Sequence, residues 1–156
     1  MDVDHPFRFS RADIMRLLAI VLLMLVGAGT FAADDDQQPR YIAEIQTHDA
    51  GEIYSILKRA EELMSHQSAF QQQVPIALVL HGDEVKTFLY KNYQANKDIV
   101  DLAAKLDAFN IVDIQICETW MGEHDVKRNQ LPPFVNTIPY GPAREEELKQ
   151  LGYIRF

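Results

Sequence analysis

The chain of 156 residues has one cysteine, Cys117. A lone thiol cannot close an intramolecular disulfide, so it is either a buried filler or a reactive sulfur. Basic charge is also scarce: 15 Lys and Arg stand against 23 Asp and Glu, giving a net charge of −8. That balance argues against nucleic acid, whose phosphates require basic patches, and disfavours anionic membrane surfaces. Acidity of this size is read first as solubility. No apolar run is long enough to span a bilayer. A glycine-rich phosphate loop, a nucleophile elbow and a carboxylate pair placed for glycoside hydrolysis are all missing. So are internal repeats and low-complexity segments.

The longest apolar run, residues 17–26, has the length of a signal-peptide core. Arg8, Arg11 and Arg16 precede it, offset by Asp2, Asp4 and Asp13. Small residues follow, with Thr30 and Ala32 at the spacings a signal peptidase needs, which places cleavage after Ala32. No cysteine follows the run and no twin-arginine pair precedes it, so ordinary secretion to the periplasm or medium is expected. The alternative is an uncleaved anchor. Residues 1–32 thus read as a signal peptide, 33–39 as a polar linker and 40–156 as one domain with one core. No membrane association is expected after cleavage.

Within that domain, residues 41–47 alternate around Ile42 and Ile45 and predict a strand. Asp49 with Glu52 resembles a capping box, and Ile53, Ile56, Leu57, Ala60, Leu63 and Met64 then recur at helical spacing. Residues 65–73 are polar and predict a loop. The apolar run 76–80 suits a central strand buried on both faces. Val85, Phe88 and Leu89 fit a short helix, residues 92–96 a break, and Ile99, Leu102, Ala103, Leu106 and Phe109 a second amphipathic helix. Residues 111–116 alternate into Cys117 as a third strand. Phe134, Val135 and Ile138 suggest a fourth, and Pro142 opens a last helix whose first turn is favoured by three glutamates. Gly152 ends that helix, and residues 153–156 add a final short strand. Strands alternating with helices predict a three-layer α/β domain with a mostly parallel sheet.

The order of these motifs resembles the DsrE/DsrF-like family, which includes sulfur-relay and intracellular sulfur-oxidation proteins. The likeness rests on a second strand ending in His81-Gly82 and a later strand ending in Cys117 with Met121 four residues on. A Leu131-Pro132-Pro133 turn, a strand ending Ile138-Pro139-Tyr140-Gly141 and a closing Leu151-Gly152-Tyr153-Ile154-Arg155 complete it. It covers about Tyr41 to Phe156. The resemblance implies a compact α/β domain that forms trimers or hexamers, a strand-end cysteine that carries sulfur as a persulfide, and protein donors and acceptors of that sulfur. Only Cys117 matches the sulfur-carrying position. The family's usual small residue and asparagine after the cysteine are replaced by Glu118 and Thr119, followed by Trp120.

Ligands of open parallel sheets gather at the carboxyl ends of the strands. Three predicted ends carry chemistry: His48, His81 (with Gly82) and Cys117. If those strands are neighbours, the three side chains line one pocket, with Glu118, Thr119 and Trp120 beside it. A cysteine attacks as thiolate, which a neighbouring histidine and the amides of a following turn favour, whereas Glu118 disfavours it. Alternation puts Cys117 on the polar face with Asp113 and Gln115, a placement that favours access; the alternative is a small buried hydrophobe. A His/His/Cys metal set lacks any short ligand motif, so neither metal nor dissociable cofactor is expected. Glu123-His124-Asp125 reads as a solvated loop, and Lys127-Arg128 as a surface pair near the cysteine. Two function classes remain: a sulfur carrier acting through Cys117, and a non-catalytic oligomeric module that binds a small ligand or metal.

Overall fold

The computed structural model describes residues 39–66 and 74–156. The predicted signal peptide, its cleavage site and the linker up to residue 38 lie outside the described residues. Among the described residues five strands, all parallel, form one sheet: β1 (Tyr41–Ala43), β2 (Ile76–Leu80), β3 (Val112–Cys117), β4 (Asn136–Ile138) and β5 (Ile154–Arg155). Their order across the sheet is β4-β3-β2-β1-β5. Helices flank it, α1 (Ala50–His66), α2 (Lys97–Ala108), the short α3 (Glu118–Glu123) and α4 (Gly141–Gln150), so the fold class is α/β as expected.

β2 sits at the centre, and all five of its residues are buried. Alternation divides them. Ile76, Leu78 and Leu80 join Ile114 and Ile116 of β3 under Ile53, Leu57 and Ala60 of α1 and Ala103 and Leu106 of α2. Ala77 and Val79 point the other way and meet Ile42 and Leu148. The first face is a thick apolar core covered by two amphipathic helices. α4 covers the second with only two buried residues, Gly141 and Leu148.

Several predicted boundaries move. The first strand stops at Ala43, because the chain turns at Gln46 and Thr47 to enter α1. α1 continues through His66, so Ser65 is helical and the rest of the predicted loop, residues 67–73, lies outside the described residues. The short helix is a 3-10 helix over Asp83–Phe88, and the predicted break is a second one over Tyr90–Ala95. Phe109 is not on the buried stripe: it caps α2 and is 63% exposed. Phe134 and Val135 precede β4 instead of starting it.

α4 begins at Gly141, one residue before Pro142, so Glu145, Glu146 and Glu147 fall beyond its first turn. The predicted electrostatic support of that turn is therefore not made. Its end is as read: Gly152 takes φ +83°, and the N–H groups of Gly152 and Tyr153 bond to the carbonyls of Lys149 and Leu148, both at 3.0 Å. This left-handed terminus releases the chain into β5 beside β1.

Candidate functional site

β1, β2 and β3 are direct neighbours, so the segments that follow them meet at one end of the sheet. The segment after β1 is shaped by Glu52 in the first turn of α1. Its carboxylate accepts the backbone N–H groups of Gln46 (2.8 Å), Thr47 (2.7 Å) and His48 (3.2 Å) and the Thr47 hydroxyl (2.9 Å). Asp49 caps the helix by accepting the Glu52 N–H at 2.9 Å. Burial pushes the Glu52 carboxyl upward, but the three backbone donors and the hydroxyl outweigh it and hold the group below the ordinary value. The wrapped turn leaves His48 left-handed, with φ 53°.

His81 follows β2 directly. Its N–H and that of Gly82 both donate to Oε1 of Glu84, each at 2.8 Å, and Oε2 of Glu84 lies 2.8 Å from Nδ1 of His48. The Glu84 side chain is fully buried. Gly82 is required by this packing, since a Cβ there would stand 2.6 Å from both Glu84 Oε2 and His48 Nδ1. The two imidazoles meet edge to face with centroids 5.1 Å apart. On its other side, His81 Nε2 is 3.5 Å from Oε1 of Glu145 on α4.

Cys117 ends β3. Its sulfur accepts the N–H of Gly141, the first residue of α4, at 3.3 Å. First-turn amides have no helical partner and carry partial positive charge, so this one is available to stabilise negative charge on the sulfur. Gly141 also presses on His81: a Cβ at that position would stand 2.6 Å from the His81 Cβ. One glycine thus separates the thiol from the histidine pair. Gly141 therefore stands between Cys117 and His81, and His81 in turn packs on His48.

The expected access does not follow. Cys117 is 2% exposed: the head of α4 meets its sulfur on the strand face that also carries Asp113 and Gln115, and the cysteine belongs to the main core cluster with Trp120 and Met121. Arg144 of α4 reaches that face and donates from Nε to Oε1 of the buried Gln115 at 3.0 Å. Beside it lies a cleft of about 550 Å³ lined by Gln115, Asn136, Thr137, Ile138, Tyr140 and Arg144, among others, and not by Cys117, His48 or His81.

The residues after the cysteine turn elsewhere. Glu118 accepts the Thr137 hydroxyl at 2.8 Å, and the Thr119 hydroxyl donates to the Pro139 carbonyl at 3.0 Å, so both stitch β3 to the β4 segment. Trp120 is buried and stacks on His124, with centroids 3.9 Å apart and planes 13° apart. Arg128 is more than a surface charge. Its guanidinium donates to the carbonyls of Leu131 (3.3 Å), Pro132 (3.0 Å), Pro133 (3.1 Å) and Val135 (2.6 Å), holding a segment whose prolines lack N–H groups of their own. Among the described residues, no three His, Cys, Asp or Glu side chains converge as metal ligands.

Sequence reasoning did not single out Glu84, Gly141 or Glu145. For Glu84 a signal existed: it shares the helical face of Val85 and Phe88, where an acidic residue is out of place unless it is paired. Gly141 was read only as the end of the fourth-strand motif, because its role at the site depends on a contact with a residue 60 positions earlier.

No family model matches the chain, and neither does any curated protein. Among solved structures it is similar to MTH1491 of Methanobacterium thermoautotrophicum, a protein of unknown function. The TM-score is 0.60 at 14% identity, over 76% of this chain and 98% of that one. The likeness concerns the fold alone.

Proposed function

We propose that the chain is an exported DsrE-like protein, acting as a homo-oligomer, that carries sulfur on Cys117. The observation that supports this most is the Gly141 N–H aimed at the Cys117 sulfur from the head of α4, with His81 on the far side of the same glycine. In loading, the Cys117 thiolate attacks the outer sulfur of a donor persulfide. A sulfur–sulfur bond forms on Cys117, the donor's own breaks, and the donor leaves as a thiolate. An acceptor thiolate later attacks the outer sulfur and returns Cys117 to thiolate. Oxidation state is conserved throughout, and no cofactor enters. Because Cys117 is covered, loading requires the first turn of α4 to lift. Gly141 and Leu148 are that helix's only buried residues, together with the Arg144–Gln115 and Lys149–Glu44 pairs, so the cover is lightly held.

Mass spectrometry of protein purified without reductant tests the reading. An added sulfur on Cys117, lost on reduction and absent from Cys117→Ser, is expected. A thiol that takes up no sulfur from a small-molecule persulfide and resists alkylation until the protein unfolds would sink it. The same spectra of protein recovered from the periplasm report whether the chain starts after Ala32.

The burial of Cys117 and the cleft beside Arg144 favour a second reading, a non-catalytic oligomeric module that binds a small ligand or metal. Native mass spectrometry and elemental analysis of the purified protein test it.

A further inference from the structure

We propose that Glu84 is a positioning residue that fixes the tautomer of His48, so that His48 serves the strand-end cluster as a proton acceptor through Nε2. The inference deepens the sulfur-carrying reading by naming a proton acceptor at that site, but its first test does not depend on it.

Glu84 has no side-chain surface exposed, and each of its carboxylate oxygens has a hydrogen-bond partner. Oε1 takes two backbone N–H groups, from His81 and Gly82, and Oε2 faces Nδ1 of His48. An ionised carboxylate only accepts hydrogen bonds, so Nδ1 must carry the proton in that contact. The neutral ring then has its lone pair on Nε2, on the side turned from Glu84. Swinging the ring would take Nδ1 away from Glu84 Oε2. Gly82 packs against its Nδ1, the His81 ring stands 5.1 Å away, and the backbone at His48 is held left-handed by the Glu52 turn. The His48 side chain is 35% exposed. When a persulfide or thiol arrives protonated, Nε2 takes the proton, the sulfur keeps the electron pair, and the imidazolium is balanced by the Glu84 carboxylate.

The geometry also says what an isosteric amide would do. In Glu84→Gln the two backbone N–H groups need an acceptor, which only the amide oxygen provides. The oxygen therefore takes the Oε1 position and the NH₂ turns to His48. A donor facing Nδ1 requires a lone pair there, so the His48 proton moves to Nε2. The substitution should invert the tautomer instead of merely loosening the ring.

The experiment is long-range ¹H–¹⁵N correlation on the full chain labelled at histidine, at a pH where the His48 ring is neutral. His48 is assigned with His48→Gln. Wild type should show the protonated-nitrogen shift at Nδ1 and the lone-pair shift at Nε2, and Glu84→Gln should exchange them. Neutral His48 protonated at Nε2 in wild type overturns the proposal, as does a Glu84→Gln ring that keeps its proton on Nδ1. If the variant does not fold, the wild-type spectrum alone decides. Failure of Cys117 to take up sulfur leaves the tautomer result standing, whereas a sulfur-loaded Cys117 beside the wrong tautomer removes only the role of Glu84.

Discussion

Gly141→Ala is the most direct perturbation of the cluster. An added Cβ would lie 2.6 Å from the His81 Cβ and 3.1 Å from its Cγ and Cδ2. Carbon atoms prefer separations of about 3.5–4 Å, so the α4 turn and the end of β2 must part by roughly 1 Å. The His81 Cβ is anchored to the backbone, so no flexible side-chain end can absorb the overlap. Overpacking of this kind costs about 1–3 kcal/mol. Gly141 is not in the left-handed region, so alanine adds no backbone strain and recovers about 0.4–1 kcal/mol from the unfolded chain. The net loss is about 0–2.6 kcal/mol, centred at about 1.3 kcal/mol, or about 4–8 °C in Tm at that centre for a domain of this size.

The movement that relieves the overlap is also the one that uncovers Cys117, since the Gly141 N–H is bonded to its sulfur. A destabilisation of 1–2 kcal/mol confined to that turn raises native-state alkylation of Cys117 by about 5–30-fold. Differential scanning calorimetry and iodoacetamide labelling followed by mass spectrometry measure both quantities. A variant at least as stable as wild type, with its thiol still protected, would refute the packing argument. Loss of stability without faster alkylation would show that α4 does not gate the thiol.

Arg128→Ala removes the donor shared by four carbonyls in the Pro132-Pro133 segment and should lower stability by about 1–3 kcal/mol by thermal melting. Arg128→Lys should restore less than half, because an ammonium cannot fork across them. With pH, the hydrogen bond from Lys149 holds Glu44 below its ordinary value, and Lys58 and Lys105 do the same for Glu61. A carboxyl held low in the fold contributes stability that is present above the unfolded value near 4.5 and is lost as pH falls through the folded one. Tm should therefore be flat from about pH 5.5 upward from these groups and decline below about pH 4.5, less steeply in high salt. Asp107, raised by burial and by Asp113, opposes this weakly. A Tm that rises on acidification through that window would contradict the assignment.

The fold was legible in the residues wherever a long periodic or apolar run spoke for itself. Residues 76–80, apolar without a break, suited a strand buried on both faces, and all five are buried in β2. The stripes of α1 and α2 and the glycine at the end of α4 announced themselves in the same way, through local conformational preference and burial period. Boundaries were not legible, because β1 is cut short by Glu52 reaching back to Gln46 and Thr47, a choice between competing hydrogen bonds.

At the site, the sequence alone located His81 and Cys117 at strand ends, whereas His48 lies in the turn beyond a β1 that ends at Ala43, and adjacency of β1, β2 and β3 brings the segments after them to one end of the sheet. What it could not determine was whether the thiol is open. Alternation assigns Cys117 to the polar face of β3, but a face is exposed only if nothing packs on it, and the head of α4, more than 20 residues later in the chain, meets the sulfur there. Glu84 and Gly141 belong to the same class of fact. Their importance comes from atoms far away along the chain, brought into hydrogen-bonding contact by the tertiary fold. Local pattern thus determined which chemistry stands at the strand ends, and packing alone decided which of it is covered, paired and poised.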